Sequence, residues 1–520
     1  MAEHKLPKIR PLGKLEEIAA AAHHIDFFTN CAFSAHYKAS QPLTDVDLKP
    51  LVFTALSQVL HQHPILFAIP VVPDTEQPYW GRLPSIDLNQ VVSFVERSSP
   101  LSSDSQTDVE LDSLLEDRHN TSFKAGYGTL PVWRLIILQD YHSKDGFVAS
   151  FVYHHSMADG GSSQIFQDAF QRALCDISSG SVELQVVEVV TSDDRPISSP
   201  LEDLHPLPLP ENPPVLDAAN LNEWRGSTVS VPSKTKYKSL SLAPEVLQSF
   251  AQECKKNKTT VTAALPALVA KVLYDILPSE TEGLTCNLPV SLRSDLPPNQ
   301  VDDVIGNFID AFKVQLLRSD LDQSSEGTTA IWKHAKKVQQ ATRRYFANAS
   351  PSGEPYANVA IFKLIPDIKA FLSSTIGNPR GESFEVSNLG HFPEPKNLKG
   401  NGNPPWRRGK LLLSRCAFAP GAPLIICVID NEASILCMGL LTNPPTVTYI
   451  TRTMKLDQPV NFVIVFARSE IPNLVIDTSV NSEAIHLLLI LSHSSKHNDY
   501  HCLPYFQLNC YQLGSETLFC

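Results

Sequence analysis

The alternation of apolar and polar positions in the first half of the chain marks out strands and helices around one polar stretch. "PVWRLIIL" (131–138) and "GFVASFVYHH" (146–155) are apolar, β-branched and aromatic runs divided by the turn-rich "QDYHSKD". This pattern predicts two neighbouring antiparallel strands. Further on, "SSQIFQDAFQRALCD" places Ile165, Phe166, Ala169, Phe170, Ala173 and Leu174 on one helical stripe, with Ser162 or Ser163 as its cap. Between strand and helix lies "HHSMADGG" (154–161). His154 and His155 therefore end a strand, and Asp159 occupies the turn into a helix.

The second half repeats the vocabulary without repeating the sequence, and no solenoid-type period is visible. "KYKSLSL" reads as a strand, "APEVLQSFAQECKKN" and "TVTAALPALVAKVLYDIL" as helices, and "GLTCNLPVSLR" as a buried strand. Between the halves, "RPISSPLEDLHPLPLPENPP" sets seven prolines from Pro196 to Pro214. Such a segment sustains neither a helix nor a central strand, and reads as an extended surface crossover. The expected division is a first domain at 1–190, a crossover at 191–232, a second domain at 233–440 and a divergent tail at 441–520.

Composition narrows the class. A chain of 520 residues is long for one ordinary core, and 43 % hydrophobic with 19 % charged residues describes a globular protein. A net charge of −12 argues against a general nucleic-acid binder. The amino terminus has no apolar signal core, and "AIHLLLIL" (484–491) is too short for a membrane span, so it reads as a core strand or helix piece. The ten cysteines form no CxxC pair and read as reduced thiols, which disfavours structural zinc and points to a cytoplasmic protein.

A histidine pair alone says little. "AAHHIDFF" contains His23 and His24 with Phe28 four places beyond, and the plain reading there is packing or surface. At His154 and His155 the context differs, because Asp159 follows His155 by four and Gly160 and Gly161 come next. A shared metal is disfavoured, since adjacent strand residues point to opposite faces and the helical HExxH spacing is absent. A general base fits better: an imidazole that titrates near neutrality can take a proton from a hydroxyl attacking a carbonyl. The aspartate then either holds the imidazole or fixes the loop by pairing with an arginine. No GxSxG elbow is present, which disfavours a serine hydrolase and points to direct transfer. Lys255, Lys256 and Lys258 in "ECKKNKTT" stand beside a predicted helix amino terminus, where an anionic group would be stabilised.

"HHSMADG" resembles the HHxxxDG signature of the CoA-dependent acyltransferase superfamily, which includes chloramphenicol acetyltransferase, plant BAHD enzymes and peptide-synthetase condensation domains. "RPLGKLEE", "HHIDFFTN", "LPVWRLIIL", "NLPVSLR", "GNFIDAF" and "FEVSNLG", in this order over about residues 8–430, are similar to the fungal alcohol O-acetyltransferases within it. The BAHD motif DFGWG is absent.

The resemblance implies an α/β fold of two chloramphenicol-acetyltransferase-like domains, each a mixed sheet with flanking helices, and an active-site tunnel at their interface. It implies an O-acyltransferase, most simply an acetyltransferase, with acyl-CoA as co-substrate, an alcohol as acceptor and no permanently bound cofactor. His155 corresponds to the general base and His154 to its companion. Asp159 corresponds to the aspartate that pairs with an arginine of the other domain, here Arg293. Gly160 fits the tight turn. Ser387 and Asn388 fall beside the tunnel, Ser387 as an oxyanion donor. A hydroxylated secondary metabolite as acceptor, a monomeric state and a peripheral membrane association are compatible with the resemblance. The residues after about Asp430 depart from the family pattern. A condensation-type enzyme using carrier-bound thioesters, or a non-catalytic acyl-CoA-binding homologue, are the alternatives.

Overall fold

The computed structural model describes residues 6–467 apart from 41–46, 73–76, 100–106, 140–145, 211–220, 243, 322–327, 396–397, 399–402, 432–435, 443–448 and 456–460. The strands of the two main sheets are, in chain order, β1 (Cys31–Ala39), β2 (Val92–Glu96), β3 (Trp133–Gln139), β4 (Gly146–Tyr153), β5 (Lys236–Leu242), β6 (Gly283–Ser291), β7 (Ile309–Leu317), β8 (Phe384–Phe392), β9 (Trp406–Arg415), β10 (Leu424–Asn431) and β11 (Leu436–Thr442). The first sheet has the order β9-β1-β4-β3-β2 and the second β5-β11-β10-β8-β6-β7. Both are mixed: β2 runs parallel to β3, and β8 runs parallel to β6 and β10.

The expected strand pair is β3 and β4, antiparallel, with Trp133 opposite Tyr153. All of β4 is buried, because the first sheet is covered on both faces. On one face lies α1 (Val109–His119), whose His119 reaches Ser414 of β9 at 2.8 Å. On the other lies α2 (Gly160–Ser178), where Phe166 stacks on Phe151 with ring centroids 3.8 Å apart and Gln167 accepts from the Tyr37 hydroxyl at 2.8 Å. A strand enclosed in this way must be apolar at every position rather than alternately, as "GFVASFVY" nearly is. In the second lobe α3 (Pro244–Lys256) and α4 (Val261–Ile276) pack behind the second sheet, around Phe250, Leu268, Phe384 and Val428.

Three expectations need correction. The helix after the histidines is capped not by Ser162 or Ser163 but by Asp159, whose carboxylate accepts from the Ser162 amide at 2.7 Å. The proline-rich crossover is more than an external strap. It folds a short helix, Leu201–Leu204, and buries Leu201 and Leu207 against Leu292, Leu296, Val301 and Phe308. Lastly, residues 233–440 do not form one sheet. β9 leaves the second lobe to pair with β1, setting Leu413 opposite Phe33 and Arg415 opposite Cys31. The boundary at 440 also cuts β11, which runs to Thr442 between β5 and β10. The "AIHLLLIL" segment lies outside the described residues. Among the described residues no single helix is long and apolar enough to cross a membrane.

Candidate active site

The polar stretch lies where β4 stops. His154 comes directly after Tyr153, a three-residue turn takes in His155, Ser156 and Met157, and α2 begins at Gly160. Asp159 is 1 % exposed, so its charge needs partners. It has four. Oδ1 accepts from the Ser162 amide at 2.7 Å and from Arg293 at 3.2 Å, and Oδ2 accepts from the Phe308 amide at 2.9 Å and faces Arg293 at 3.5 Å. Burial alone would raise its pKa. The Arg293 guanidinium and the amides of Phe308 and Ser162 outweigh it and hold the carboxyl below the ordinary carboxylate range.

Arg293 follows β6 at the edge of the second lobe. Besides Asp159 it donates to the carbonyls of Val301 and Val304, at 2.6 and 3.0 Å, and to the Ser162 hydroxyl at 2.8 Å. The Ser162 hydroxyl donates to the Gly306 carbonyl at 2.6 Å and accepts from the Gly306 amide at 3.0 Å. Asn307 then donates from Nδ2 to the carbonyl of His155 at 2.8 Å. "GNF" (306–308) is therefore a bracket from the second lobe that grips the His155 turn at three consecutive residues. Sequence reading placed these residues only as part of the resemblance, because two of the three contacts are made by backbone, which side-chain identity does not reveal.

The two histidines differ in kind. His154 is 1 % exposed; its Nδ1 accepts from the Ser156 amide at 3.0 Å and faces the Ser156 hydroxyl at 2.7 Å. Its ring packs on His23 at 4.7 Å, and His23 in turn accepts from the Phe123 amide at 3.1 Å. Burial, with His23 and His155 close by, pushes the pKa of His154 far below the ordinary value, so it is a neutral packing residue. His155 is only half-buried, with its ring 5.7 Å from that of Phe28. Burial first, then the Arg415 guanidinium, lower its pKa, against the pull of backbone carbonyls at His155 and Ala158 and of Asp159. Nδ1 is buried without a well-formed hydrogen bond. Among the described residues Asp159 makes no hydrogen bond to the imidazole; its partners are Ser162, Phe308 and Arg293.

A family model described as "Alcohol acetyltransferase" matches residues 11–399, three quarters of the length. The chain belongs to the alcohol acetyltransferase family. Membership makes it an acyltransferase, acting with an acyl donor and an alcohol. It is 42 % identical over 434 residues to a probable alcohol acetyltransferase, crmB, of Aspergillus fumigatus, covering 82 % of this chain and 93 % of that protein. A second relative, the probable alcohol acetyltransferase FCK4 of Fusarium pseudograminearum, is 24 % identical over 82 % of this chain and 88 % of its own length. In fold it is similar to TRI3 trichothecene 15-O-acetyltransferase from Fusarium sporotrichioides, with a TM-score of 0.61 at 15 % identity, covering 84 % of this chain and 90 % of that one. The first condensation domain of the calcium-dependent antibiotic synthetase shares the two-lobed fold, with a TM-score of 0.54 at 11 % identity over 84 % of this chain and 92 % of that domain.

In this family member the remaining sequence-derived residues fall in two places. Ser387 and Asn388 lie on β8, half-buried, with Ser387 paired across to Cys427. Asn388 donates to Thr262 in the first turn of α4 at 2.9 Å. Lys255 and Lys256 end α3, and Lys258 takes a left-handed φ of 56° in the loop before α4. All three lysines are exposed, and Lys256 pairs with Glu253 at 2.5 Å. Asn388 and the lysine loop thus meet at the start of α4, while no hydrogen bond or ion pair among the described residues ties the lysines to the His155 turn. Two cavities, of about 680 and 240 Å³, are lined by none of the candidate residues, and the tunnel expected at the interface coincides with neither. Among the described residues no three His, Cys, Asp or Glu side chains gather as a metal site would need. The six described cysteines are free and buried.

Gly160 needs its missing side chain, though not for a turn. It opens α2 without a positive φ, and a Cβ there would meet Leu389 Cδ2 of β8 at 2.6 Å. Close approach of the two lobes, rather than a strained backbone, is what excludes a side chain. At Gly161 a Cβ would meet Arg293 Nε at 3.1 Å. Gly160→Ala is expected to lower stability by about 1–3 kcal/mol through overpacking. Adding Leu389→Ala should restore part of that loss, a coupling that urea unfolding of the single and double variants will show. Simple additivity would refute the contact.

Proposed function

We propose that the protein transfers an acetyl group from acetyl-CoA to an alcohol, with His155 as general base and no covalent acyl-enzyme. The observation that carries the reading is one half-buried, neutral imidazole held at the lobe interface by Asn307 and by the Asp159–Arg293 clamp, in a member of this family. Nε2 of His155 takes the hydroxyl proton as the alcohol oxygen attacks the thioester carbonyl. The tetrahedral centre collapses, the C–S bond breaks, and the CoA sulfur recovers the proton from the imidazolium. Asp159 and Arg293 keep the turn in place without touching the reacting atoms. Ser387 is a candidate donor to the oxyanion, supported by its half-buried position on the interface face of β8. For the anionic end of CoA, Lys255, Lys256 and Lys258 remain the candidates, supported by the neighbouring start of α4.

A hydroxylated secondary metabolite is the acceptor class that the fungal relatives support. A monomer in the cytoplasm, where acyl-CoA is abundant, with at most peripheral membrane contact, completes the reading. The test is release of free thiol from acetyl-CoA in the presence of a panel of primary and secondary alcohols. Alcohol-dependent release is expected; turnover only with acyl groups carried on a carrier protein would replace this reading with the condensation-type one.

The lowered pKa of His155 fixes a pH dependence. The base works when unprotonated, so activity should persist below the ordinary histidine range, about 6.5, and fall only as pH drops through the depressed value. The acidic limb of kcat/KM against pH measures this in the free enzyme. A limb centred at or above 6.5 would contradict the environment described for His155.

A further inference from the structure

The crossover strand β9 delivers a charged group to the interface that none of the motifs anticipated. Its last residue, Arg415, is opposite Cys31 of β1, and Cys31 is opposite Tyr153 of β4, two residues before His155. The Arg415 guanidinium lies 6.0 Å from the Phe28 ring, the same ring that packs on His155. It donates to Oε1 of Glu385 on β8 at 2.6 Å, and Oε2 of Glu385 accepts from Asn287 of β6 at 2.9 Å. Glu385 and Ser387 share one face of β8, two positions apart. The side chains form a chain, Asn287–Glu385–Arg415, that runs from the second sheet to the first beside the base. Glu385 is 7 % exposed and Arg415 16 %. Arg415 spends one nitrogen on Glu385, while its Nε is buried without a partner.

Resting on the proposed acyl transfer, we propose that Arg415 receives the negative charge that develops on the thioester carbonyl oxygen, with Glu385 and Asn287 as the positioning residues that aim it. The charge has a definite origin. As the alcohol electron pair forms the new C–O bond and the proton passes to His155, the carbonyl π pair moves onto oxygen. When C=O reforms, that pair returns, the C–S bond breaks and the CoA sulfur takes the proton from His155. A donor fixed in advance stabilises this oxygen far more than one that must be recruited, and a low-polarity surrounding strengthens it. Glu385, itself held by Asn287, prevents the long arginine side chain from folding elsewhere. Other titratable neighbours do not compete for Arg415. The nearby thiols of Cys31, Cys416 and Cys427 are held protonated by burial, which leaves Glu385 as its formal negative neighbour among the described residues. Around His155 the groups are Arg415, Asp159 and the neutral His154.

The experiment is steady-state thiol release from acetyl-CoA with the fastest alcohol of the panel, for Arg415→Lys, Arg415→Met and Glu385→Gln. Arg415→Met should lower kcat by about 10²–10³-fold with KM for acetyl-CoA and alcohol nearly unchanged, as loss of an oxyanion donor does. Arg415→Lys should recover part of kcat, and Glu385→Gln should cost less than Arg415→Met. Because Arg415→Met strands a buried carboxylate, folding is checked by thermal unfolding, and Arg415→Lys carries the test should Met not fold. An unchanged kcat overturns the proposal. So does a raised KM for the alcohol alone, which would make Arg415 an acceptor-binding group. A second readout needs no alcohol: the pH dependence of diethyl pyrocarbonate modification of His155, followed by peptide mass. Losing the Arg415 charge should move that profile to higher pH, and an unmoved profile would show that Arg415 does not face His155. A wild type that folds, binds acetyl-CoA and releases no thiol with any alcohol would instead sink the transferase reading, while the modification assay would still decide whether Arg415 stands at this site.

Discussion

Replacing His155 by alanine is expected to lower alcohol-dependent CoA release by about 10²–10⁴-fold, the usual contribution of a general base. Stability should barely change. The imidazole makes no well-formed hydrogen bond through Nδ1, and its ring contact is with Phe28 at 5.7 Å. The turn is held instead through the His155 backbone, by Asn307 at 2.8 Å, and that bond survives the substitution. The neighbouring variant His154→Ala should show the reverse profile. It removes a buried ring tilted against His23 at 4.7 Å and leaves the Ser156 amide and hydroxyl without their acceptor, so unfolding should shift more than turnover of the enzyme that remains folded. Thiol release and thermal unfolding on both variants separate the roles. Activity of His155→Ala within about tenfold of wild type would remove the imidazole from the mechanism.

Asp159→Ala should have the largest effect on stability, about 3–5 kcal/mol, as breaking one side of a buried ion pair does. It leaves Arg293 uncompensated, and it removes the cap of α2 and the acceptor for the Phe308 amide. Asp159→Asn keeps an oxygen for the cap and should cost less, although its NH2 must then face a second donor, either the Phe308 amide or the Arg293 guanidinium. The depressed folded-state pKa of Asp159 gives the pH direction. Its contribution to stability is fully present above the unfolded carboxyl value of about 3.9 and fades as pH falls through the lower folded value. Urea midpoints of the wild type and Asp159→Asn should therefore converge in acid. A constant gap between pH 7 and the acid limit would mean that the carboxylate charge does not hold the turn.

The elements around the histidines were legible because periodicity is local. A run such as "GFVASFVY" is a strand wherever it lies, and the apolar stripe from Ile165 to Leu174 fits only a helix. The Asp159–Arg293 pair was also legible, though only through the resemblance, since 134 positions separate the two residues. Three things were not. The cap is Asp159 rather than Ser162 or Ser163, because an aspartate facing an arginine can still accept from a helix amide. β9 was unreadable as a crossover: "WRRGKLLLSR" fits the edge of either sheet, and only the complete topology decides which. The link from Asn287 through Glu385 to Arg415 joins three strands, two of which belong to a different sheet from the third, so no spacing announces it. Gly160 was found for the wrong reason, since the crowding by Leu389 comes from the other lobe.

The most direct single measurement follows thiol and ester together. The purified protein is given 13C-labelled acetyl-CoA and the best alcohol of the panel, and free CoA, acetyl ester and intact protein mass are recorded over time. The account predicts one ester for each CoA released and no acetylated protein at any time, because His155 moves a proton and never the acyl group. Accumulation of singly acetylated protein before ester appears, or CoA release without ester, would contradict it.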